Sequence, residues 1–476
     1  MKKTVFIISL ILFSLLGSKI EAVQPGEIFN FYTENSYDIS GRAQVTAYLV
    51  KITPRLYFYI DKAWWDAQGY IRQSEISNSL GNLAQEFESK IYPYLTSAFG
   101  SEWKPGIDGD EKITVLFHPM KEEMGGYFRS NDEYLRLQFP NSNEREMVYL
   151  NVNQIESLAM KSFLAHEFLH LITFNLKNRI LGVGEETWLN EARADYTSTF
   201  LGYDDIYEGS NLQKRVKSFS EAPSDPLTEW KNKKADYGVI SLFTQYLIDH
   251  AGINILIDSL FSEKSGITAL NEALVKNGFK DDFSQIFTNW TVTVVLNDCG
   301  FGFQYCYLNK NLKTLRISPL INFLPLTGKS TLSLIDVTKN WSGNWYKFIG
   351  GRGVLKFEFN GLAGLNFKVP YLIQDKEGKY ALNFLDLDEK QKGEIYISDF
   401  GGQNKSLIII PSLQSKISAS DGLELTYPIS LTASILERTP SEEEELIKQL
   451  LAQIEELQKE IASVQLQISI LKGESE

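Results

Sequence analysis

The sequence has few of the residues that cross-link proteins or bind metals. Of its 476 residues only two are cysteines and four are histidines. Two cysteines do not make a zinc site by themselves. The formal net charge is -13 and no block of lysine or arginine occurs, which argues against nucleic acid or an anionic membrane surface as the main partner. Beyond the N-terminus no apolar run is long enough to span a bilayer.

The N-terminus has the pattern of a secretory signal peptide. Lys2 and Lys3 precede an apolar run at 5–16, and the small residue Ala22 follows. This order predicts a signal peptide over residues 1–22 and a secreted, extracellular or cell-surface location. An uncleaved membrane anchor is the alternative interpretation.

The two cysteines lie close together in the chain. Cys299 and Cys306 flank a short segment that contains glycine. In an exported protein this spacing favours a disulfide that closes a small loop, whereas two buried free thiols would be expected in the cytosol.

The first and largest part of the chain combines strand patterns with helix patterns. Apolar and β-branched residues alternate on both sides of Pro54, and apolar residues recur at helical spacing further on. Strands first and helices afterwards favour an α+β domain over residues 23–325. The predicted strands are 45–60 with a break at Pro54, 113–117 and 147–152; the predicted helices are 74–99, 162–174, 188–200 and 237–250, with two more within 253–296.

Two further regions follow this domain. Short β-rich runs separated by Gly, Asn and Asp predict an all-β sandwich over residues 326–438, with a structural or substrate-docking role. Apolar residues then recur at alternating intervals of three and four, which predicts a C-terminal coiled-coil helix over 441–473. The alternative is a lone amphipathic helix packed on the body of the protein. The seam consists of Ile447, Leu450, Ile454, Leu457, Ile461, Val464, Ile468 and Leu471.

The composition of this seam indicates a partner. Isoleucine at every a position, with mostly leucine at d, favours a parallel dimer. The flanking e and g positions are mainly Leu, Gln and Glu, so charge does not select the partner. We therefore expect a homodimer, or another coiled-coil partner, through residues 447–471.

The run from His166 to His170 carries the strongest chemical signal. On a helix His166 and His170 lie one turn apart, so that both imidazoles can bind one ion, and Glu167 is directed toward the water on that ion. Zinc accepts this donor set and leaves a position open. A histidine pair in the core or in solvent is the alternative interpretation of the spacing.

A second predicted helix supplies further candidates. Glu191 completes two histidines and one glutamate as the three metal ligands. Asp195, one turn later, can accept the free N–H of a ligand histidine, and Asn190 can serve the other histidine. Glu185 and Glu186 are rival third ligands, but they lie in a glycine-containing loop.

At these residues the chain resembles the gluzincin zinc peptidases. His-Glu-Phe-Leu-His at 166–170, followed by Trp-Leu-Asn-Glu-Ala-Arg-Ala-Asp at 188–195, is similar to the hyicolysin-type neutral zinc peptidases of bacteria, and Asn-Glu-Ala-x-x-Asp also matches the thermolysin pattern. The resemblance implies a zincin catalytic domain over roughly residues 45–320. It also implies an upstream edge strand that aligns a peptide substrate.

The group that would stabilise an oxyanion is less clear in the sequence. His118 and His250 lie in no matching motif. Tyr237 with Tyr246-Leu247 is similar in spacing to the oxyanion tyrosine of the aminopeptidase-N branch, so Tyr237 is the candidate, with Tyr196 in reserve. A core or helix-capping role for Tyr237 remains the alternative.

A calcium site is a further candidate. Asp108-Gly109-Asp110 is a fragment of a calcium loop, although an ordinary acidic turn is the preferred interpretation because the other oxygen ligands are missing.

Together these patterns predict a secreted zinc metallopeptidase that binds one zinc ion per chain and acts on proteins or peptides. The Gly-x-Met-x-Asn exopeptidase motif is absent, and Gly125-Gly126 stands in the corresponding upstream region, which favours an endopeptidase. One alternative is a non-catalytic cell-surface adhesion protein with a degenerate zincin domain. Another is a purely structural zinc site, although such sites usually have four protein ligands.

Overall fold

The computed structural model describes residues 24–416, 420–421, 424–436 and 440–473. The predicted signal peptide lies outside the described residues. The chain is of mixed α/β class. It divides into two compact units. The first unit comprises the chain up to Tyr92 together with Trp103–Glu167, and the second comprises Pro93–Glu102 and the chain from Phe168 onward.

The first unit is built on a six-stranded sheet. Its three central strands run parallel to one another, and every residue of two of them is buried, as is typical of parallel sheets. The strand order is β1-β2-β3-β4-β6-β5, and the edge strand β5 pairs antiparallel with β6. The strands are β1 Ile28–Tyr32, β2 Gln44–Ile52, β3 Leu56–Asp61, β4 Ile113–His118, β5 Gly126–Phe128 and β6 Met147–Asn151.

Two helices follow the first three strands. They are α1 Lys62–Asp66 and α2 Tyr70–Glu86, and α2 continues into a π-helical turn, Phe87–Ile91. Short 3-10 turns occupy Ser130–Glu133 and Val152–Gln154. The strands predicted around Pro54 and at 113–117 and 147–152 are confirmed. Strand β5, which begins at Gly126, is not among the predicted strands.

Helices dominate the following part of the chain. The helices are α3 Tyr92–Phe99, α4 Met160–Thr173 with a π-helical extension Phe174–Ile180, α5 Thr187–Phe200, α6 Asn211–Glu221, α7 Lys234–Ala251, α8 Asn254–Leu260, α9 Gly266–Lys276 and α10 Phe283–Leu296, with a 3-10 turn at Phe303–Tyr305. The predicted helices that become α4, α5 and α7 are confirmed within a few residues. Within 253–296 there are three helices rather than two.

An all-β region completes the second unit. Its strands form two groups. The first group contains β14, β13, β16, β10 and β8, and the second contains β15, β11, β19 and β9. A single residue pair, Phe400 with Asn404, joins the two groups into one sheet. Both groups contribute to one apolar core, which includes Phe348, Phe357 and Leu431. The sheet is thus nearly closed around its core, where the sequence led us to expect a sandwich.

The bounds of the remaining strands are as follows. They are β7 Glu229–Trp230, β8 Leu320–Leu324, β9 Ser330–Thr338, β10 Tyr346–Gly350, β11 Gly353–Asn360, β12 Phe367–Lys368, β13 Pro370–Asp375, β14 Tyr380–Phe384, β15 Lys392–Phe400, β16 Asn404–Ile409, β17 Ser412–Leu413, β18 Ser420–Asp421 and β19 Tyr427–Leu436. Since β8 pairs with β10, the all-β region begins ahead of the predicted boundary at residue 326.

A long C-terminal helix, α11 Pro440–Gly473, covers the predicted coiled-coil segment. Seven of its eight seam residues are between 46% and 56% exposed, and the structure does not describe the side chain of Leu471. The helix is continuous over the predicted segment, and the coiled-coil partner stays a prediction.

Two features bear on location. The predicted disulfide between Cys299 and Cys306 is confirmed. Among the described residues no single helix is long and apolar enough to cross a bilayer; α7 and α8, bent by 107°, reach that length and composition only as a pair. The disulfide is compatible with an extracellular protein.

Candidate metal centre

Helix α4 carries both histidines of the predicted site. Three of its apolar residues, Leu164, Phe168 and Leu169, are at most 1% exposed, so packing holds the helix in place. His166 and His170 therefore project from one rigid element, one turn apart. His170 and Glu167 are themselves buried, each 5% exposed.

Helix α5 brings Glu191 to the two histidines. One ligand atom each from His166, His170 and Glu191 lies within 4.8 Å of the others. The Nε2 atom of His170 is 3.6 Å from Oε1 of Glu191, a separation at which both can bind the same ion. In the part of the chain that the structure describes, this is the one group of three such side chains. The three ligands predicted from the sequence thus lie together.

Asn190 orients one of these histidines. Its Oδ1 lies 3.1 Å from Nδ1 of His170. Since an amide oxygen only accepts, Nδ1 of His170 carries the proton and donates it to Asn190, which leaves the Nε2 lone pair facing Glu191. This is the tautomer that a metal ligand requires.

Asp195 has a partner that no sequence pattern indicated. Its Oδ1 accepts from Nη2 of Arg215 at 2.6 Å, from Nε of Arg215 at 2.8 Å and from Nδ2 of Asn211 at 3.0 Å. Burial alone would lower the pKa of Arg215, but Asp195 more than offsets this, and Tyr237 and Glu191 also raise the pKa. Arg215 therefore lies near both the metal ligand and the candidate tyrosine.

Arg215 comes from α6, which none of the predicted elements includes. Leu212 and Phe219 are buried, and Ser210 caps the helix by accepting from the Gln213 N–H. Apolar residues at 212, 216 and 219 after a serine are the sequence signal that could have found this helix.

The rival third ligands have other roles. Glu185 forms a buried ion pair with Arg193 at 2.7 Å and accepts from the Gly266 N–H. Glu186 accepts from Nε1 of Trp188 at 2.6 Å. Because these contacts hold the turn before α5, they support Glu191 as the third ligand.

Tyr237 lies in the first turn of α7. Its ring contacts Trp230, with the ring centres 4.9 Å apart, and the guanidinium carbon of Arg215 lies 4.3 Å from its ring centre. The reserve candidate, Tyr196, has a different setting: burial, then the charges of Asp249 and Asp204, raise its pKa. Tyr237 thus has ring contacts with Trp230 and Arg215, and its role at an oxyanion stays a prediction.

The two remaining histidines are engaged elsewhere. His118 is buried between Asp38 and the Tyr127 hydroxyl, each 3.1 Å from a ring nitrogen. His250 lies 2.9 Å from the carbonyl of Cys306. Burial lowers the pKa of both imidazoles. Both histidines thus have structural contacts, and neither belongs to the metal-ligand group.

The edge strand β5 passes close to Glu167. A Cβ atom at Gly126 would lie 2.7 Å from the carbonyl oxygen of Tyr149 and 3.1 Å from Cγ of Glu167. A Cβ at Gly125 would lie 2.6 Å from the ring of Phe163 on α4. Only glycine permits this approach, so the Gly125-Gly126 pair sets the strand against the helix that carries Glu167.

Comparisons with known proteins give no assignment. No family model and no curated protein matches the chain. The solved structures that match include a mitogen from Yersinia pseudotuberculosis at 12% identity (24% of this chain, 92% of that chain, TM-score 0.17). Another is a periplasmic inhibitor of g-type lysozyme from Aeromonas hydrophila at 16% identity (25% and 100%, TM-score 0.17). A third is the pre-peptidase C-terminal domain of collagenase from Bacillus anthracis at 13% identity (24% and 96%, TM-score 0.15). Similarity at this level supports no statement on fold or function.

Proposed function

We propose that the protein is an exported zinc-dependent peptide hydrolase of the gluzincin type, acting as an endopeptidase. The observation that carries the proposal is the convergence of His166, His170 and Glu191, whose ligand atoms lie within 4.8 Å of one another. Two imidazole nitrogens and one carboxylate oxygen suit zinc and leave a position open for water or substrate. When bound, zinc would polarise the scissile carbonyl and lower the pKa of a water molecule to about 7.

Glu167 is the general base in this proposal. It lies next to His166 on α4 and is buried, so its carboxylate is held at the reaction site with little competition from solvent. Glu167 takes a proton from the attacking water and then gives it to the leaving amine. One carboxylate thus handles both proton transfers of peptide hydrolysis.

Tyr237 is the proposed donor to the oxyanion. Its hydroxyl would donate a hydrogen bond to the oxygen that becomes negative in the tetrahedral intermediate. Arg215 packs on its ring and is fixed by Asp195, so the arginine restricts the position of the tyrosine.

Strand β5 is the proposed docking edge for substrate. In the sheet order it has a strand neighbour on one side only, β6, and the other side offers backbone groups to an extended peptide. Because a strand edge binds peptide backbone along its length, residues on both sides of the cleaved bond can bind. This favours internal cleavage.

The decisive experiment is cleavage of a peptide library, read by mass spectrometry, with zinc-loaded full-length protein. Wild type should cut within peptides, and Glu167→Gln should bind the same amount of zinc but lose at least about 1000-fold in rate. Glu111→Gln, at an exposed position, is the matched control and should cut like wild type. Unchanged cleavage by Glu167→Gln would refute the proposed base. No cleavage by zinc-loaded wild type would favour the non-catalytic adhesion protein.

A further inference from the structure

Strand β5 is short and lies at one end of its sheet. It consists of Gly126–Phe128 and pairs antiparallel with β6 over these three residues only, with Tyr127 opposite Tyr149. Three backbone pairs at a sheet edge give a strand little stability of their own. The strand that we propose as the docking edge therefore needs further contacts to keep one position.

The ring of Tyr127 supplies such contacts. It is 5% exposed and stacks on the ring of Tyr149, with the ring centres 4.3 Å apart and the planes inclined by 9°. Tyr37, between β1 and β2, packs against it with the ring centres 5.1 Å apart. Successive side chains of a strand point to opposite faces, so Tyr127 lies on the face away from the one where Gly126 approaches Glu167. The contacts of Tyr127 thus hold β5 from behind.

The Tyr127 hydroxyl belongs to a chain of buried hydrogen bonds. It lies 3.1 Å from Nε2 of His118, and Nδ1 of His118 lies 3.1 Å from Oδ2 of Asp38. His118 and Asp38 are both 0% exposed. The hydroxyl oxygen also accepts from the Glu34 N–H at 3.1 Å. The chain therefore connects β5 to the last residue of β4 and to the segment between β1 and β2.

The charge of Asp38 fixes the direction of these bonds. Burial alone would raise its pKa, but hydrogen bonds from Arg42 and Ser40 lower the pKa to about 2, so Asp38 is a carboxylate that only accepts. Nδ1 of His118 therefore carries a proton. Because burial lowers the pKa of the His118 imidazole, Nε2 is unprotonated and accepts from the Tyr127 hydroxyl. Each group has one role, which defines one position for Tyr127.

Asp38 is itself held in place by the central part of the sheet. Its Oδ2 lies 2.8 Å from Nη2 of Arg42, and its Oδ1 accepts from the Ser40 N–H at 2.8 Å. Nη1 of Arg42 lies 2.7 Å from Oδ2 of Asp61, the last residue of β3. The hydrogen-bond chain thus extends from β3 to the edge strand.

We propose that His118 and Tyr127 are positioning residues that hold β5 ready to pair with an extended peptide substrate. They act through the backbone of β5 and touch neither the substrate nor the metal ligands. A strand that is already in place loses less conformational freedom when a peptide pairs with it, so the peptide binds more tightly. The inference rests on the proposed function, in which β5 is the docking edge.

The test compares two tyrosine variants of full-length, zinc-loaded protein. Tyr127→Phe keeps the stacked ring but removes the hydroxyl, so KM for a cleaved peptide should rise roughly fivefold. Its kcat and zinc content should stay within about twofold of wild type. Tyr57→Phe is the matched control, since the Tyr57 hydroxyl donates to Asp110 at 2.7 Å and two strands separate β3 from β5. Tyr57→Phe should keep the KM of wild type.

Hydrogen exchange tests the strand independently of cleavage. The paired amides of β5 and β6 should exchange roughly fivefold faster in Tyr127→Phe than in wild type, and at the wild-type rate in Tyr57→Phe. His118→Leu should raise KM and exchange to a similar extent, and the double variant no further, because both residues act through one hydrogen bond. Tyr127→Phe alone decides the question if His118→Leu does not fold.

The contrary results are distinct. If wild type cleaves peptides and Tyr127→Phe has the same KM, the inference is wrong and the proposed function stands. Equal rises of KM in Tyr127→Phe and Tyr57→Phe would also overturn it, since they would reflect a general loss of stability. If wild type cuts no peptide, the proposed function fails. Unchanged exchange in Tyr127→Phe would then also refute the hold on β5, whereas faster exchange would support it.

Discussion

The His166/His170/Glu191 group and the Glu133/Glu146 pair differ in how the chain forms them. The histidines occupy one turn of a helix, and Glu191 lies on the next helix along the chain. The glutamates both lie between β5 and β6 in the chain: Glu133 ends a 3-10 turn, Glu146 directly precedes β6, and each is 3% exposed. In the first group Asn190 orients His170 through a hydrogen bond, whereas in the second the two buried carboxyl groups hydrogen-bond to each other.

This difference distinguishes a group of side chains suited to a metal ion from a pair suited to sharing a proton. At the first, Asn190 fixes the tautomer of His170, so that a nitrogen lone pair faces Glu191 and can bind a borderline-soft ion. At the second, burial and the proximity of two carboxyl groups favour a state in which they share one proton. We expect the first site to decide activity and the second to decide stability.

The largest effect should follow from removing the third zinc ligand. Glu191→Ala leaves two histidines, too few for a catalytic zinc site, so zinc content should fall well below one per chain and cleavage by at least about 1000-fold. Metal analysis after gel filtration and peptide cleavage measure this. Glu186→Gln, in the rival position, should keep its zinc. Zinc loss in Glu186→Gln but not in Glu191→Ala would show that Glu186, not Glu191, is the third ligand.

Loss of the Tyr237 hydroxyl should have a smaller effect on the same site. Tyr237→Phe keeps the ring that packs on Arg215 but removes the proposed oxyanion donor, so kcat should fall roughly 100-fold with zinc content unchanged. Tyr196→Phe is the matched control and should retain activity within a few-fold. Equal losses in the two variants would indicate that neither hydroxyl contacts the reaction.

The Glu133/Glu146 pair should make the stability of the protein depend on pH. Burial raises the pKa of Glu146 from 4.5 to about 7. The folded protein therefore binds more protons than the unfolded chain between those pH values, and stability is lost as the pH rises through this window, by roughly 3 kcal/mol at most. Below pH 4.5 the contribution is fully present.

Thermal unfolding between pH 5 and 8 measures this loss. In Glu133→Gln the amide donates to Glu146, so its Tm should fall less than that of wild type over the same range. Parallel curves for wild type and Glu133→Gln would contradict this account.

The smallest effect on either site is expected from α11. Ile461→Asn places a polar group at an a position of the seam and should shift the protein from dimer to monomer in sedimentation experiments. Zinc content and cleavage rate should stay within about twofold, since the candidate metal centre is formed within one chain. Unchanged sedimentation would indicate that the seam does not form a homodimer.

Local sequence patterns were sufficient to predict the two helices of the candidate metal centre and most of its residues. The spacing in α4 and α5 predicts His166, His170 and Glu191 on facing sides because helical periodicity depends on near neighbours in the chain. The same applies to the heptad seam of α11. The helix α6 was missed because its short apolar pattern lies among charged residues, and with it Arg215.

The sequence by itself predicted the metal ligands, the base Glu167 and the disulfide pair, since each belongs to a short motif: residues four apart on α4, the Asn-Glu-Ala run on α5, or two cysteines seven apart. Only the tertiary structure decided that Arg215 holds Asp195, that β5 runs beside Glu167 and that Glu133 faces Glu146. None of these contacts follows from the spacing of residues within one helix or one strand. Whether a distant carboxylate finds an arginine, a tyrosine or another carboxylate depends on burial and packing, which no local spacing encodes.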